Sequence, residues 1–351
     1  MLSVDENALN PKSATGIRMK EYETLVDELR VVVIRARHPL RSIGRIFGAT
    51  RNIKRSDGWL VTSQDPFEVG LVALCISKLF RIPLHVQVHI DFFSSYFKTE
   101  SFRQSFQATI APFVLKRADA VRVVSQKIAS YISSDLHIDS SAISVVPIRV
   151  HVKTPEKKTD IDLRKKFPQF EKTFLAASRF VKQKNIPFLI HTFSFFLKKY
   201  PKAGLVIVGS GPQKREYERL IVSLGISASV VIRSWVDSFA SCMKTSDVFV
   251  LSSDYEGWGM TVVEAATFGR PIIMTDVGCA GEFIENNING VVIPVRDSRV
   301  LISAMERLYT DADFALSIGE HARKSAEKTV SERIYLDMIK KSWERATITA
   351  R

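Results

Sequence analysis

Short β-branched segments alternate with helical patterns twice over in this chain, and one polar, lysine-rich stretch divides the two runs. That arrangement predicts an α/β protein of two doubly wound, Rossmann-like domains, because buried parallel strands read as continuous apolar runs and need crossover helices between them. The length agrees: 351 residues exceed what one hydrophobic core ordinarily serves. The expected divisions are an N-terminal domain over 1–152, a linker over 153–172, a second domain over 173–330 and a terminal helix over 331–351 that could cross back to the first domain.

In the first half, Ile17 to Leu29 has helical character, and strands are expected at Leu29–Ile34, Trp59–Ser63, Leu84–Ile90, Ala120–Ser125 and Ile143–Ile148. Helices are expected between several of them, notably Pro66–Leu79 and Phe102–Arg117. Asp65-Pro66 ahead of an apolar run, with Glu68 in the first turn, marks a helix start. In doubly wound sheets ligands sit beyond the carboxyl ends of strands. That singles out Gln64, Asp65, His89, Asp91, Ser125 and Gln126. His89 admits two readings, a contact for a sugar or acceptor hydroxyl and a hydrogen-bonded core histidine. His38 and His137 read as surface residues.

Arg30 to Arg55 holds eight basic residues and no acidic one, with Leu40, Ile43, Ile46, Phe47 and Ile53 near one helical face. Such a segment suits an anionic membrane surface, and equally a solvated helix lying on its own sheet. Phe102, Phe106, Ile110, Phe113 and Val114 read as the core face of a helix. The chain carries a net charge of +13, and residues 1–170 hold 26 Lys and Arg against 17 Asp and Glu, so most of the positive field belongs to the first half. Nucleic acid is not expected as a partner, because no platform of stacking aromatics accompanies the basic run. The three cysteines, Cys75, Cys242 and Cys279, have no metal-ligand spacing and read as buried thiols in a reducing compartment. The longest apolar run, Val69 to Ile76, is too short to span a bilayer, and the opening residues lack signal-peptide character, which points to a cytoplasmic location.

His151 to Lys172 is polar and nearly free of strand character, and its Asp160-Ile161-Asp162 reads as solvated carboxylates. Beyond it, strands are expected at Phe174–Ser178, Leu205–Gly209, Val230–Trp235, Val248–Ser252, Pro271–Thr275 and Val291–Val295. Chemistry concentrates at Phe249–Thr275, which parses as strand, glycine-bearing loop, helix and strand. Glu256 falls in the loop and Glu264 in the first turns of a helix starting near Thr261. Gly257 and Gly259 let backbone approach a ligand, and the helix behind them offers amides and a positive dipole end to an anion. After the first strand of this half, SRFVKQKN places Arg179 and Lys184 where two cations could grip a diphosphate, each charge-assisted hydrogen bond being worth roughly 1.5–3 kcal/mol. Gly209-Ser210-Gly211-Pro212 forms a second glycine turn, but it lacks the third glycine and the distal acid of a dinucleotide site.

In order and spacing, Arg179 and Lys184, VGSGP, SDVFVLSS, EGWGMTVVEA, GRPII, VGCAGEFI and NGVVIPV resemble the retaining glycosyltransferases of family 4. SQDPFEVGL and VQVHIDFF resemble their acceptor-side domain more loosely. The resemblance implies the GT-B fold, in which two Rossmann-like domains face each other across a cleft. It also implies a nucleotide-diphosphate sugar as donor, a glycan or lipid-linked acceptor, and no metal or separate cofactor.

Carried over by position, Arg179 and Lys184 hold the diphosphate, Glu256 the donor-sugar hydroxyls and Glu264 the ribose. The backbone of Trp258, Gly259, Met260 and Thr261 meets the distal phosphate, Gly209 and Gly211 line the donor, and His89 matches the family's cleft histidine. Ser234 and Trp235 stand near the base, where a glycine is common, and Val150-His151 where Val-Asp is common. Only Met1 to Val4 is left for the first strand, which is expected to be truncated. The implied reaction is hexosyl transfer, and the basic segment of the first half suggests peripheral contact with the inner face of the membrane. A non-catalytic sugar-nucleotide-binding subunit and a sugar-nucleotide epimerase on the same fold are the alternatives.

Overall fold

The computed structural model describes residues 1–34, 39–150, 162–234 and 239–349, with the backbone alone at 39–41 and 55. It divides into two compact units, one of Met1–Arg149 with Val330–Arg351 and one of Val150–Thr329. The strands of the first unit are β1 (Leu2–Ser3), β2 (Val32–Val33), β3 (Val61–Ser63), β4 (Leu84–Val88), β5 (Ala120–Val123) and β6 (Ile143–Val145). Those of the second are β7 (Lys172–Arg179), β8 (Ala203–Ser210), β9 (Val230–Arg233), β10 (Val248–Leu251), β11 (Ile272–Thr275) and β12 (Val291–Ile293). The helices are α1 (Ala14–Glu23), α2 (Pro39–Thr50), α3 (Glu68–Phe80), α4 (Ser95–Glu100), α5 (Phe102–Leu115), α6 (Gln126–Leu136) and α7 (Leu163–Lys166). They continue with α8 (Ile186–Leu197), α9 (Lys214–Ser223), α10 (Phe239–Thr245), α11 (Met260–Thr267), α12 (Ser298–Thr310), α13 (Ala312–Glu327) and α14 (Glu332–Thr349).

Both sheets are parallel throughout, in the orders β2-β1-β3-β4-β5-β6 and β12-β11-β10-β7-β8-β9. The expected strands are therefore present, including a β1 of two residues whose Leu2 pairs with Val32 on one side and Ser63 on the other. The reason they could be read is burial on both faces: all residues of β4, β5, β10 and β11 are buried. Helix α1 ends at Glu23, short of the expected Leu29.

The polar stretch after the first unit holds more structure than a linker over 153–172 would. Asp162 accepts hydrogen bonds from the amides of Arg164 and Lys165 and so caps α7, whose Leu163 is fully buried. Lys172 already pairs in β7, and its ammonium donates to the carbonyls of Leu308 and Tyr309 near the end of α12. Asp160, Ile161 and His151 lie outside the described residues, as do Arg35, Arg37 and His38. His137 is exposed, in the left-handed cap of α6.

One face of the first sheet is lined by polar side chains. His85 and Gln87 alternate with Leu84, Val86 and Val88 along β4, so they share the face on which α14 packs. There α14 brings Tyr335, Ile339 and Trp343 against Met19 and Tyr22 of α1, with the Tyr22 and Tyr335 hydroxyls 3.0 Å apart. Arg122 of β5, only 2% exposed, donates to Gln87 Oε1 at 2.8 Å and to the Val146 carbonyl at 3.2 Å. Gln87 Nε2 donates to Thr62 Oγ1 at 3.2 Å. His85 joins Thr62 on one ring nitrogen to Ser342 of α14 on the other, 2.8 Å each.

Two expectations for the surface are overturned. Cys75 is exposed on α3, whereas Cys242 and Cys279 are buried, and all three are free thiols. The phenylalanines of α5 do not face the core: Phe102 is 90% exposed, Phe106 54% and Phe113 47%. The core side of α5 consists of Ala111, Val114 and Leu115, and it packs beside α3, where Val114 lies against Gly70.

Candidate functional site

Strands β7 and β10 are neighbours at the centre of the second sheet, and the loops at their carboxyl ends are bonded to each other. After β7 the chain makes one tight turn, Lys182–Lys184, closed by Lys184 N donating to the Val181 carbonyl at 3.0 Å. Asn185, in the left-handed region at φ 44°, then opens α8. The turn docks on residues 252–256. Asp254 N donates to the Gln183 carbonyl, Gln183 Nε2 donates to the Tyr255 carbonyl at 2.9 Å, and Ser252 Oγ donates to the Lys184 carbonyl at 3.0 Å.

At the centre of this docking lies Glu256. Its buried carboxylate accepts from the Lys184 ammonium in a short contact, from Ser253 Oγ at 2.7 Å and from Gln183 Nε2 at 3.4 Å. Lys184 and Glu256, 72 residues apart in sequence, thus form one ion pair that is largely shielded from water. The Lys184 ammonium has three N–H donors and pairs with Glu256 through one of them. A second pair braces the same loop: Arg296 donates to both oxygens of Asp254 at 2.9 and 2.8 Å, and Asn185 Nδ2 donates to Asp254 at 2.7 Å. Gln183 and Ser253 lie inside SRFVKQKN and SDVFVLSS, which do not single them out as site residues, and Asp254 and Arg296 fall just outside the motifs. The further hint in the sequence is that polar residues flank Lys184 and Glu256 at strand ends.

Beyond Glu256 the loop runs through Gly257 and the buried Trp258 to Gly259, which caps α11 at φ 99°, a conformation that suits glycine. Val262 N is the donor to the Gly259 carbonyl, so the amides before it open the helix unclaimed by its own ladder. The turn after β11 supports the loop from beneath: Cys279 N donates to the Trp258 carbonyl at 2.8 Å, and a Cβ on Gly278 would lie 2.5 Å from that oxygen. On α11, Val262, Val263, Ala265 and Ala266 face the core, leaving Met260, Thr261 and Glu264 on the open side. Glu264 makes no hydrogen bond or ion pair among the described residues, and burial pushes its carboxyl up to about 7.

Arg179, the last residue of β7, is exposed and has no polar partner among the described residues. It lies beside Ser210 in the β7–β8 register, next to Gly209 and Gly211. A Cβ at Gly209 would sit 1.9 Å from the Ser178 carbonyl, and one at Gly211 2.5 Å from that of Phe180, so this turn is packed as closely as backbone allows. Ser234 is exposed just after β9, at the sheet's outer edge, and Trp235 lies outside the described residues.

In the first unit the residues after the strands are fixed locally. Gln64 accepts from Ser3 Oγ, Asp65 from the amide of Phe67 at 2.9 Å, and Asp91 from the amides of Phe93 and Ser94. Ser125 caps α6, which opens at Gln126. Burial raises both carboxyls, Asp65 to about 6. His89 is half-buried at the end of β4, with Nε2 3.1 Å from Gln87 Oε1. Because Arg122 can only donate, the Gln87 atom it meets is the oxygen, and His89 Nε2 must carry the proton. That leaves His89 Nδ1 as a lone-pair acceptor. Burial, reinforced by Arg122 and Arg18, holds the imidazole well below its usual pKa.

Comparison with known proteins places this geometry. The family model "Glycosyl transferases group 1" matches residues 157–325, and "Glycosyl transferase 4-like domain" matches residues 14–149. The chain is 31% identical over 173 residues to an uncharacterized glycosyltransferase of Methanocaldococcus jannaschii, covering 49% of this chain and 43% of that one. It is 27% identical over 238 residues to the N-acetyl-alpha-D-glucosaminyl L-malate synthase of Bacillus anthracis, covering 65% and 62%. The alignments span about half the length of the curated relatives. The crystal structure of Anabaena HepE in complex with UDP-glucose superposes with a TM-score of 0.74 at 19% identity, over 95% of this chain and 89% of that one, a likeness of fold. With both halves matched by models of one enzyme class and both sheets built as that fold requires, the chain belongs to the group 1, family 4 glycosyltransferases of GT-B type.

Proposed function

We propose that this protein is a retaining, metal-independent glycosyltransferase that moves a hexose from a nucleotide-diphosphate sugar to a glycan or lipid-linked acceptor. The observation that carries the reading is the Lys184–Glu256 pair at the foot of the α11 opening, with Glu264, one helical turn beyond, left without a partner among the described residues. Donor binding gives each group work. Glu256, oriented by Lys184 and Ser253, accepts from sugar hydroxyls, and Glu264 accepts from the ribose. Arg179 and the first amides of α11 take the charge that grows on the departing diphosphate, which is electrostatic stabilisation without a metal. The fold neighbour determined with UDP-glucose and the relative named an N-acetyl-alpha-D-glucosaminyl L-malate synthase support this donor class.

His89 serves the acceptor or sugar hydroxyl through its unprotonated Nδ1. No protein nucleophile is assigned; the leaving phosphate takes the acceptor proton on the face it departs from. We also assign peripheral contact with an anionic membrane to the basic segment around α2, which exposes Ile43 and Phe47 one turn apart, with Arg45 on the opposite side of the helix and Arg51 just after its end. Among the described residues no helix is long and apolar enough to cross a membrane. The test is a panel of nucleotide sugars read by ligand-induced melting shift, followed by transfer assays with the donor that binds. A shift with one donor, lost in Glu264→Gln, is expected; absence of any shift across the panel overturns the assignment.

A further inference from the structure

On a helical wheel Phe102, Phe106 and Phe113 fall within an arc of about 40°, and from first to last they form a ridge roughly 16 Å long on α5. Their exposure is large for phenylalanine, and a ridge of three is not the scattered single residue that a solvated surface ordinarily shows. The ridge is framed by cations. Lys116 lies on one side of the arc; Arg117 and Arg103 lie on the other, and Lys98 projects from α4 just before it. From Phe102 to Arg117 there is no acidic residue, and the nearby Glu68 is paired with Arg103 at 3.0 Å. The Arg117 guanidinium lies 3.8 Å from the centroid of the Phe113 ring, so charge and apolar ridge form one surface.

We infer that α5 is a docking surface for an anionic lipid bilayer. The helix lies in the plane of the interface, its phenylalanines enter the boundary between headgroups and acyl chains, and Lys116, Arg117, Arg103 and Lys98 meet lipid phosphates. A bilayer fits this surface better than a second copy of the chain does. Two such faces brought together would oppose Lys116 and Arg117 with their own kind, and α5 has no carboxylate to answer them. A lipid surface supplies the missing negative charge and accepts a convex ridge without needing a matching groove. The inference does not depend on donor binding, which concerns the other unit.

Flotation of the full chain with phosphatidylcholine vesicles, with and without phosphatidylglycerol, tests it. Binding only to the phosphatidylglycerol vesicles is expected, weakening as salt rises. Phe102→Ser/Phe106→Ser should lower it at least about tenfold, and Lys116→Glu/Arg117→Glu likewise. Because these side chains are exposed, unchanged melting temperature and circular dichroism of the variants certify the fold. Ile43→Ser/Phe47→Ser separates the contribution of α2. If the α5 variants bind as the wild type does, or the wild type ignores phosphatidylglycerol, the inference is wrong. It is also wrong if Phe102→Ser/Phe106→Ser instead abolishes a concentration-dependent dimer.

Discussion

Arg122 donates to Gln87 Oε1 across 2.8 Å inside the first sheet, and this one bond orders the protons of two histidines. It turns the Gln87 oxygen toward His89 Nε2, which must then donate. It also turns Gln87 Nε2 toward Thr62, whose hydroxyl proton goes to His85 Nδ1, leaving His85 Nε2 to donate to Ser342. A guanidinium, which stays protonated at every working pH, is thus the fixed end of a chain of donors reaching α14.

The first prediction concerns His89. Gln87→Glu keeps an acceptor for Arg122 and His89 but places a negative charge beside the imidazole. The midpoint of His89, now held low by burial and by Arg122, should rise by on the order of 1–2 pH units. Proton NMR of the histidine ring through a pH series measures it. An unmoved midpoint would show that Gln87 does not govern this ring.

The second concerns the buried pair of the other unit. Lys184→Ala leaves Glu256 buried with only Ser253 and Gln183 as donors, and should cost about 3–5 kcal/mol of stability in urea unfolding. Adding Glu256→Gln should recover much of that loss, so the double-mutant cycle shows strong coupling. Activity lost in Lys184→Ala alone therefore cannot be credited to donor contact.

Glu264 should behave in the opposite way. Its folded-state carboxyl lies near 7 against an ordinary value of 4.5, so its contribution to stability is intact below about 4.5 and is lost as the pH rises through 7. Glu264→Gln should make the ligand-free protein more stable at pH 8 by about 1–3 kcal/mol while abolishing the donor-induced melting shift. A variant that is less stable than the wild type at that pH would contradict the assignment of Glu264 as a strained binding group.

Acid sensitivity belongs to His85. Burial pulls its imidazole down to about 3, so the unfolded chain takes up the proton first, and stability present above 6.5 is lost as the pH falls toward 3. Between pH 6.5 and 4 the loss should reach about 3 kcal/mol, and the slope should flatten in His85→Gln.

Arg179 offers the cleanest test of phosphate binding. Exposed and unpaired among the described residues, it contributes little to the fold. Arg179→Ala should lower donor affinity roughly ten- to hundredfold by calorimetry with no change in melting temperature.

The strands could be read because burial on both faces makes each an apolar run, as at Phe249–Leu251 and Ile272–Thr275. Glu256 and Glu264 could be read because a glycine-bearing loop joins them. What lay beyond reading depends on contacts between distant segments. Nothing near Lys184 announces that its ammonium is taken by a carboxylate 72 residues on. Nothing near Asp254 announces Arg296. On α5, Ala111, Val114 and Leu115 form the buried face while Phe102, Phe106 and Phe113 stay outside, so hydrophobicity alone placed Val114 correctly and the three phenylalanines wrongly. On β4, His85 and Gln87 interrupt a strand that is nonetheless wholly buried, because α14 arrives with a hydroxyl for one of them.

With Cys242 and Cys279 enclosed, the exposed Cys75 is a ready-made handle for labelling the native sequence. It stands on α3, which packs beside α5. A polarity-sensitive dye joined to that sulfur would report by its emission colour when this side of the molecule leaves water, without any engineered cysteine.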